Sequence, residues 1–338
     1  MFNYQSAKTF ICEYIWIGGN GEIRSKTRVL KDFIYKIDEF PEWNFDGSST
    51  GQAPSDGNTE VILKPVFFCT NPLRQKTHCK TESVLVLCET YDNDGNHLLT
   101  NHRFEAAKLF RSLEDKECWF GLEQEYFICN KQFICENNVA CYCGKTNNYF
   151  ERQIVEEHLS CCIEARLNIS GINAEVASSQ WEFQIGPSIG INAADELIIA
   201  RYLLERIAEK YDANINYSPK ISESANGSGC HINFSTNEMR SENGYEKIVA
   251  CMDKLANKHE QHIAVYGKDN CMRLTGLHET SSMNKFTWGI GTRNTSVRIP
   301  NATVKNSCGY FEDRRPAANI DPYLATAIIA KTCCLNNN

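Results

Sequence analysis

The 338-residue sequence lacks the usual signatures of several protein classes. No CxxC pair occurs among its 17 cysteines, and no cysteine–histidine cluster has zinc-finger spacing. The cysteine count is odd and is about 5% of residues, below the roughly 8–10% of small disulfide scaffolds. Many cysteines sit in apolar runs, such as Cys88 in Val84-Leu85-Val86-Leu87-Cys88. Reduced, buried thiols are therefore expected. No apolar run reaches the ~18–20 residues of a membrane helix, and no basic stretch followed by an apolar one opens the chain. These absences point to a cytoplasmic protein without a membrane partner, in which the Asn-x-Ser/Thr matches at Asn168, Asn226, Asn294 and Asn301 carry no meaning. Positive charge is not in excess: 35 Lys and Arg against 42 Asp and Glu give a net charge of −7, which argues against a nucleic-acid partner. Neither a GxxxxGK[ST] loop nor a dinucleotide fingerprint occurs; the nearest glycine-rich run is Asn226-Gly227-Ser228-Gly229-Cys230. An ATP enzyme made from this chain must use another fold.

What is present is an ordinary globular composition, 42% apolar and 23% charged, in a chain long enough for one large or two ordinary domains. The first ~90 residues read as strands, with Phe10–Ile17 stopping at Gly18-Gly19-Asn20-Gly21. The polar cluster Tyr91–Asn96 is the candidate boundary, dividing the chain into 1–95 and 96–338. Beyond it, apolar spacing of three and four predicts helices over about 102–113, 151–167, 195–211 and 321–335. A further stripe runs through Ile248, Met252, Leu255, His259 and Ile263.

Four strand candidates carry the chemistry. Successive side chains on a strand point to opposite faces. Glu123 and Glu125 therefore share a face in Leu122–Phe127, as do Glu182 and Gln184 in Trp181–Ile185. His231, Asn233 and Ser235 align in the third segment, and Tyr310, Glu312 and Arg314 in the fourth. Carboxylates at i and i+2 repel unless a cation or proton lies between them. Glutamates with one histidine are the donor set of a hard divalent ion such as Mg²⁺ or Mn²⁺. Arg273, Arg293, Arg298, Arg314 and Arg315 crowd the last quarter. Arginines beside carboxylates that hold divalent ions are the parts of a phosphoryl-transfer site.

The motifs resemble those of eukaryotic-type (type II) glutamine synthetases. The matching stretches are Trp43–Pro54, Phe120–Tyr126, Asn173–Val176, Gln180–Pro187, Asn226–Ser235, Arg273–Gly276 with His278–Thr280, and Gly309–Asn319, in family order. The resemblance implies an α+β fold: an N-terminal β-grasp domain, then a larger catalytic domain built on an antiparallel sheet with helices. It implies ligation of ammonia to L-glutamate with ATP as co-substrate, through a γ-glutamyl phosphate, with two to three Mg²⁺ or Mn²⁺ per site. It also implies a decamer of two stacked pentamers with active sites between subunits. Carried onto this chain, Glu125, Glu175 and Glu182 would hold one metal, and Glu123, His231 and Glu312 a second. Asn233, Ser235, Arg298 and Tyr310, with Glu123, Glu182 and Arg293, would bind ATP. Arg273, Asn226, Gly227, His231, Arg293 and Arg314 would bind glutamate, with Arg293 and Arg314 also stabilising the transferring phosphoryl group. Asp46 of a neighbouring subunit would bind ammonium and take its proton, and Glu279 would close over the intermediate. The family's Trp-Asn-Gly-Ala-Gly stands here as Ala225-Asn226-Gly227-Ser228-Gly229.

Two other readings fit the same motifs: a γ-glutamyl ligase using a bulkier amine, and a silent structural homologue. The intact Asp46-Gly47-Ser48-Ser49 favours ammonium over the first. The second predicts eroded ligands, whereas Glu123, Glu279 and Arg293 are all present.

Overall fold

The computed structural model describes residues 9–74, 81–130, 141–144, 149–222, 225–277 and 280–335. The first part forms a five-stranded sheet from β1 (Thr9–Ile17), β2 (Ile23–Leu30), β3 (Trp43–Asp46), β4 (Glu60–Thr70) and β5 (Thr81–Tyr91), in the order β2-β1-β5-β4-β3. Only β1 and β5 pair in parallel. Alternation splits β1 between two cores. Phe10, Cys12, Tyr14 and Trp16 pack with Phe40, Leu63 and Val86 in a small cluster of their own, while Ile15 joins the main core.

Glu13 lies on the same side as Ile15 and is buried. It accepts hydrogen bonds from Asn71 Nδ2 (2.9 Å), Tyr202 Oη (2.5 Å) and Arg206 Nη1 (3.0 Å). Tyr202 and Arg206 belong to a long helix of the second part, so this carboxylate ties the two parts together. Glu13→Ala would leave the buried Asn71 amide without this acceptor and Arg206 without this carboxylate, and should cost about 2 kcal/mol. A urea midpoint unchanged from the parent protein would contradict that role.

The second sheet has eight strands: β6 (Trp119–Cys129), β7 (Ile169–Ala174), β8 (Gln180–Ile189), β9 (Asn214–Asn216), β10 (Cys230–Ser235), β11 (Trp288–Ile290), β12 (Val297–Ile299) and β13 (Phe311–Asp313). Its order is β11-β12-β13-β10-β6-β8-β7, with β9 against the end of β6. The pairs are antiparallel except β11–β12. An α+β architecture with a largely antiparallel second sheet was the expectation, and it holds.

The helices are α1 (His102–Ser112), α2 (Tyr149–Glu164), α3 (Ile191–Lys210), α4 (Asn237–Arg240), α5 (Gly244–Asn257), α6 (His259–Val265), α7 (Asn301–Asn306) and α8 (Pro322–Cys334). The apolar sides of the strands (Phe120, Leu122, Phe183, Ile232, Phe234, Phe311) face the main core with Leu197, Leu204 and Ile207 of α3. Asp321 starts α8 by accepting from the N–H groups of Tyr323 and Leu324, with Pro322 in the first turn. The stripe through 248–263 is two helices rather than one, broken at Lys258. Its apolar spacing continues across the break, so periodicity alone does not show it. His259 instead bonds to tertiary partners, the Met283 carbonyl (2.8 Å) and Arg315 Nη1 (3.0 Å).

Candidate active site

Strand register sets the site. Glu123 of β6 lies opposite His231 of β10 on one side and Gln184 of β8 on the other. Glu125 lies opposite Glu182, which lies opposite Asn173 of β7. On the other flank, Glu312 of β13 faces Asn233 of β10 and Arg298 of β12. Residues from six adjacent strands thus share one face of the sheet. Those of β6, β7, β8, β10 and β12 line a cavity of about 350 Å³, together with Tyr142, Glu175, Arg293 and Arg314, and Glu312 of β13 is buried beneath it.

His231 is the hinge of the cluster. Its Nδ1 lies 3.5 Å from Glu123 Oε2, 3.6 Å from Glu312 Oε1 and 4.0 Å from Glu125 Oε1. Its Nε2 lies 2.9 Å from Arg273 Nη2. A guanidinium can only donate, so Nε2 is the acceptor of that contact. Burial, with Arg314 beside it, pushes the imidazole well below its ordinary pKa, so the ring is neutral. One donor atom each from Glu123, His231 and Glu312 falls within a 4.8 Å spread, close enough to hold one metal ion.

The other carboxylates are crowded. Burial, then Glu175, pushes Glu125 up to about 8. Burial, then Glu123 and Glu125, pushes Glu182 up to about 9. Glu175 is raised as well, chiefly by burial, although Asn173 donates to it at 2.9 Å. Glu125 accepts from the Gly229 N–H (2.7 Å) and Gln180 Nε2 (3.2 Å). These groups favour protons where no positive charge separates them. Oxygen donors of this kind, with one imidazole, fit hard divalent cations.

A second cavity of about 430 Å³ adjoins the first, sharing Glu123 and Gln184. Its wall is largely apolar, with the exposed side chains of Trp119, Pro187 and Tyr310, while Phe120, Leu122, Ile185 and Phe234 turn their side chains to the main core beneath; Asn233, Ser235 and Arg240 add polar groups. A charged chamber opening into an apolar one suits a ligand with an anionic end and a flat, uncharged end.

Comparison with known proteins decides the family. The profile described as "Glutamine synthetase, catalytic domain" matches residues 105–334. The glutamine synthetase of Saccharomyces cerevisiae is 48% identical over 335 residues, covering 96% of this chain and 89% of its own length. That of Schizosaccharomyces pombe is 48% identical over 333 residues, covering 95% and 91%. A protein of Acanthamoeba polyphaga mimivirus is 51% identical over 98% of this chain and 96% of its own. The chain belongs to the glutamine synthetase family. In fold, it is similar to the Plasmodium falciparum glutamine synthetase structure, with a TM-score of 0.76 at 15% identity over 98% of this chain and 72% of that one.

Of the residues that glutamine synthetase motifs single out, Glu123, Glu125, Glu175, Glu182, His231, Arg293, Arg298 and Arg314 line the charged cavity. Glu312 is buried beneath it, bound to Arg314 Nη1 (2.7 Å) and to Arg298. Asn233, Ser235 and Tyr310 line the apolar chamber, where Asn233 donates to Glu123 Oε1 at 2.7 Å. Arg273 is buried behind His231 and also donates to the carbonyls of Arg314 (2.9 Å) and Arg315 (3.2 Å). Asn226 and Gly227 lie on the loop before β10, and the Gly227 carbonyl accepts from Gln180 Nε2 at 3.0 Å. Asp46 is exposed at the end of β3 and lines neither cavity of this chain. Glu279 lies outside the described residues. Arg315 parts from the other arginines: it is fully buried on the core side, paired with Asp313 at 2.6 Å.

Trp119, Tyr142, Asn173 and Arg240 line the cavities without having been singled out for a role from sequence. Alternation could have found Trp119, which shares the parity of Gly121, Glu123 and Glu125. Arg240 comes from the short helix α4, lies 4.0 Å from the Trp119 ring centroid and donates to Ser235 Oγ at 3.0 Å. No sequence pattern marks it.

The run Asn226–Gly229 is not a phosphate loop. A Cβ on Gly229 would lie 2.6 Å from Arg273 Nη2 and 2.8 Å from His231 Nε2; one on Gly227 would lie 2.5 Å from Arg273 Cγ. These glycines make room for the buried guanidinium.

Proposed function

We infer that this chain ligates ammonia to L-glutamate at the expense of ATP, forming L-glutamine, ADP and phosphate by way of γ-glutamyl phosphate. The observation that carries this is the joined pair of cavities, one lined by carboxylates, a neutral histidine and arginines, the other apolar. Glu123, His231 and Glu312 would hold one Mg²⁺ or Mn²⁺, and Glu125, Glu175 and Glu182 another. Such ions neutralise phosphate charge and polarise the transferring group. Asn233, Ser235 and Tyr310 would seat the nucleotide in the apolar chamber, with Glu123, Glu182, Arg293 and Arg298 at its phosphate end. Arg293 and Arg314 would stabilise charge on the phosphoryl group and the γ-carboxylate. Arg273, with Asn226, Gly227 and His231, would hold glutamate. Glu279 is proposed to shield the acyl phosphate from water. We place the domain division at residue 95, the protein in the cytoplasm, and the active assembly as two stacked pentamers.

Asp46 fits attraction of ammonium. Ser48 bonds its carboxylate through Oγ (2.7 Å) and N–H (3.0 Å), holding the carboxyl below its ordinary pKa. A group so acidic is suited to binding a cation more than to keeping its proton. In the decamer reading it serves the neighbouring subunit. Asp46→Ala should raise the KM for ammonium by about tenfold or more and leave ADP affinity unchanged; equal loss of both would contradict the role. Gly229→Ala should displace Arg273 and raise the KM for glutamate about tenfold, and a change confined to ATP would refute that assignment.

The intermediate has its own test. Glutamate labelled with ¹⁸O in its γ-carboxylate should pass one labelled oxygen to phosphate for each glutamine made. Unlabelled phosphate would exclude γ-glutamyl phosphate.

A further inference from the structure

The described cysteines are all free, and two pairs of them meet at the end of α8. Cys334 Sγ lies 3.7 Å from Cys118 Sγ, and Cys333 is hydrogen-bonded to Cys251. Cys251 and Cys333 are both buried, whereas Cys334 is half-exposed beside the buried Cys118. The Cys118–Cys334 pair therefore combines sulfur contact with a route to solvent. Neither residue belongs to the machinery above.

We propose that Cys118 and Cys334 are a reversible oxidation site, which a hydroperoxide closes into a disulfide, and that closure weakens nucleotide binding. The two sulfurs are in hydrogen-bond contact at 3.7 Å, and Cys334 is the one open to solvent. Cys334 is thus the sulfur that a hydroperoxide reaches first. Its sulfur attacks a peroxide oxygen and the O–O bond breaks. The departing hydroxide takes the thiol proton and leaves as water, with a sulfenic acid on Cys334. Cys118 sulfur then attacks Cys334 sulfur and displaces hydroxide, which leaves with the second thiol proton as water. Two thiols give two electrons, and one hydrogen peroxide becomes two waters.

The link to the nucleotide rests on the reading of the apolar chamber given above. Cys118 stands between Glu117 and Trp119, and both touch Arg240: the Glu117 carbonyl accepts from Nη2 at 3.0 Å, and the guanidinium lies 4.0 Å from the Trp119 ring centroid. Trp119 and Arg240 line the chamber. A disulfide needs about 2.05 Å between sulfurs, so closure draws the Cys118 segment and the end of α8 together by more than an ångström. That movement shifts the chamber rim.

The test treats the folded full chain with hydrogen peroxide, blocks remaining thiols, and maps non-reduced peptides by mass spectrometry. A Cys118–Cys334 linked peptide is expected, rising with dose, removed by dithiothreitol and absent in Cys334→Ser. Oxidised parent protein should bind ADP about fivefold more weakly, with no such change in Cys334→Ser. Oxidation of the exposed Cys143 and Cys271 without the linked peptide would overturn the site. So would a link confined to Cys251–Cys333. A linked protein with unchanged ADP affinity would overturn the coupling. Failure of the reduced protein to bind ADP would count against the nucleotide reading, and the peptide map would still decide the thiol pair.

Discussion

Glu312→Gln should lower glutamine formation by about a thousandfold while the protein still folds. Glu312 is fully buried, pairs with Arg298 and Arg314, and lies 3.6 Å from His231 Nδ1. Glutamine keeps the volume and one carbonyl oxygen for Arg314, so the cavity is not opened. The charge is lost, and with it one of the three donors that converge on a single point. Two guanidiniums then face a neutral amide, and their uncompensated positive charge repels a bound cation. The check is kcat together with a melting curve. A cooperative unfolding transition with activity gone supports the assignment; activity above about a tenth of the parent's would remove Glu312 from the machinery.

Binding of Mg²⁺ at pH 7 should release about two protons. Glu125 and Glu182, raised to about 8 and about 9 without a cation, are largely protonated at neutral pH. Ligation requires them ionised. Calorimetry in buffers of different ionisation enthalpy reads the released protons directly, and a buffer-independent heat would contradict the crowding described above. Metal affinity should rise from pH 6 to pH 9, as fewer protons compete. Stability of the metal-free protein moves the other way. From the ordinary glutamate value of 4.5 up to about 8–9, the native state holds protons that the unfolded state has lost. Native proton binding exceeds unfolded, so stability falls as pH rises through that window. Saturating Mg²⁺ should flatten the fall.

The site was legible in sequence wherever a strand's alternation expressed it. Glu123 with Glu125, Glu182 with Gln184, and His231 with Asn233 share faces as their parity requires. Which strand opposes which was not legible, because register follows from packing across the sheet rather than from any one segment. The seating of Glu182 opposite Glu125, which helps raise Glu182, comes only from that register. Arg315 shows the limit of counting charges along the chain: one residue beyond Arg314, it takes the other face and serves the core. The fold class came with the resemblance to the glutamine synthetase motifs, and the strand-rich start and the helical spacing after it agree with it. The break at Lys258 did not, since tertiary hydrogen bonds of His259 accompany it while the apolar stripe runs on. The cysteines read as packing residues, and 9 of the 15 described are buried. Their pairing at the end of α8 needed coordinates, because Cys118 and Cys334 are 216 residues apart.

The most direct measurement supplies the folded protein with L-glutamate, ammonium, ATP and Mg²⁺ or Mn²⁺, and follows glutamine and ADP together. The account predicts equal amounts of both, dependent on every component. No glutamine and no ADP from a folded, oligomeric sample would contradict it.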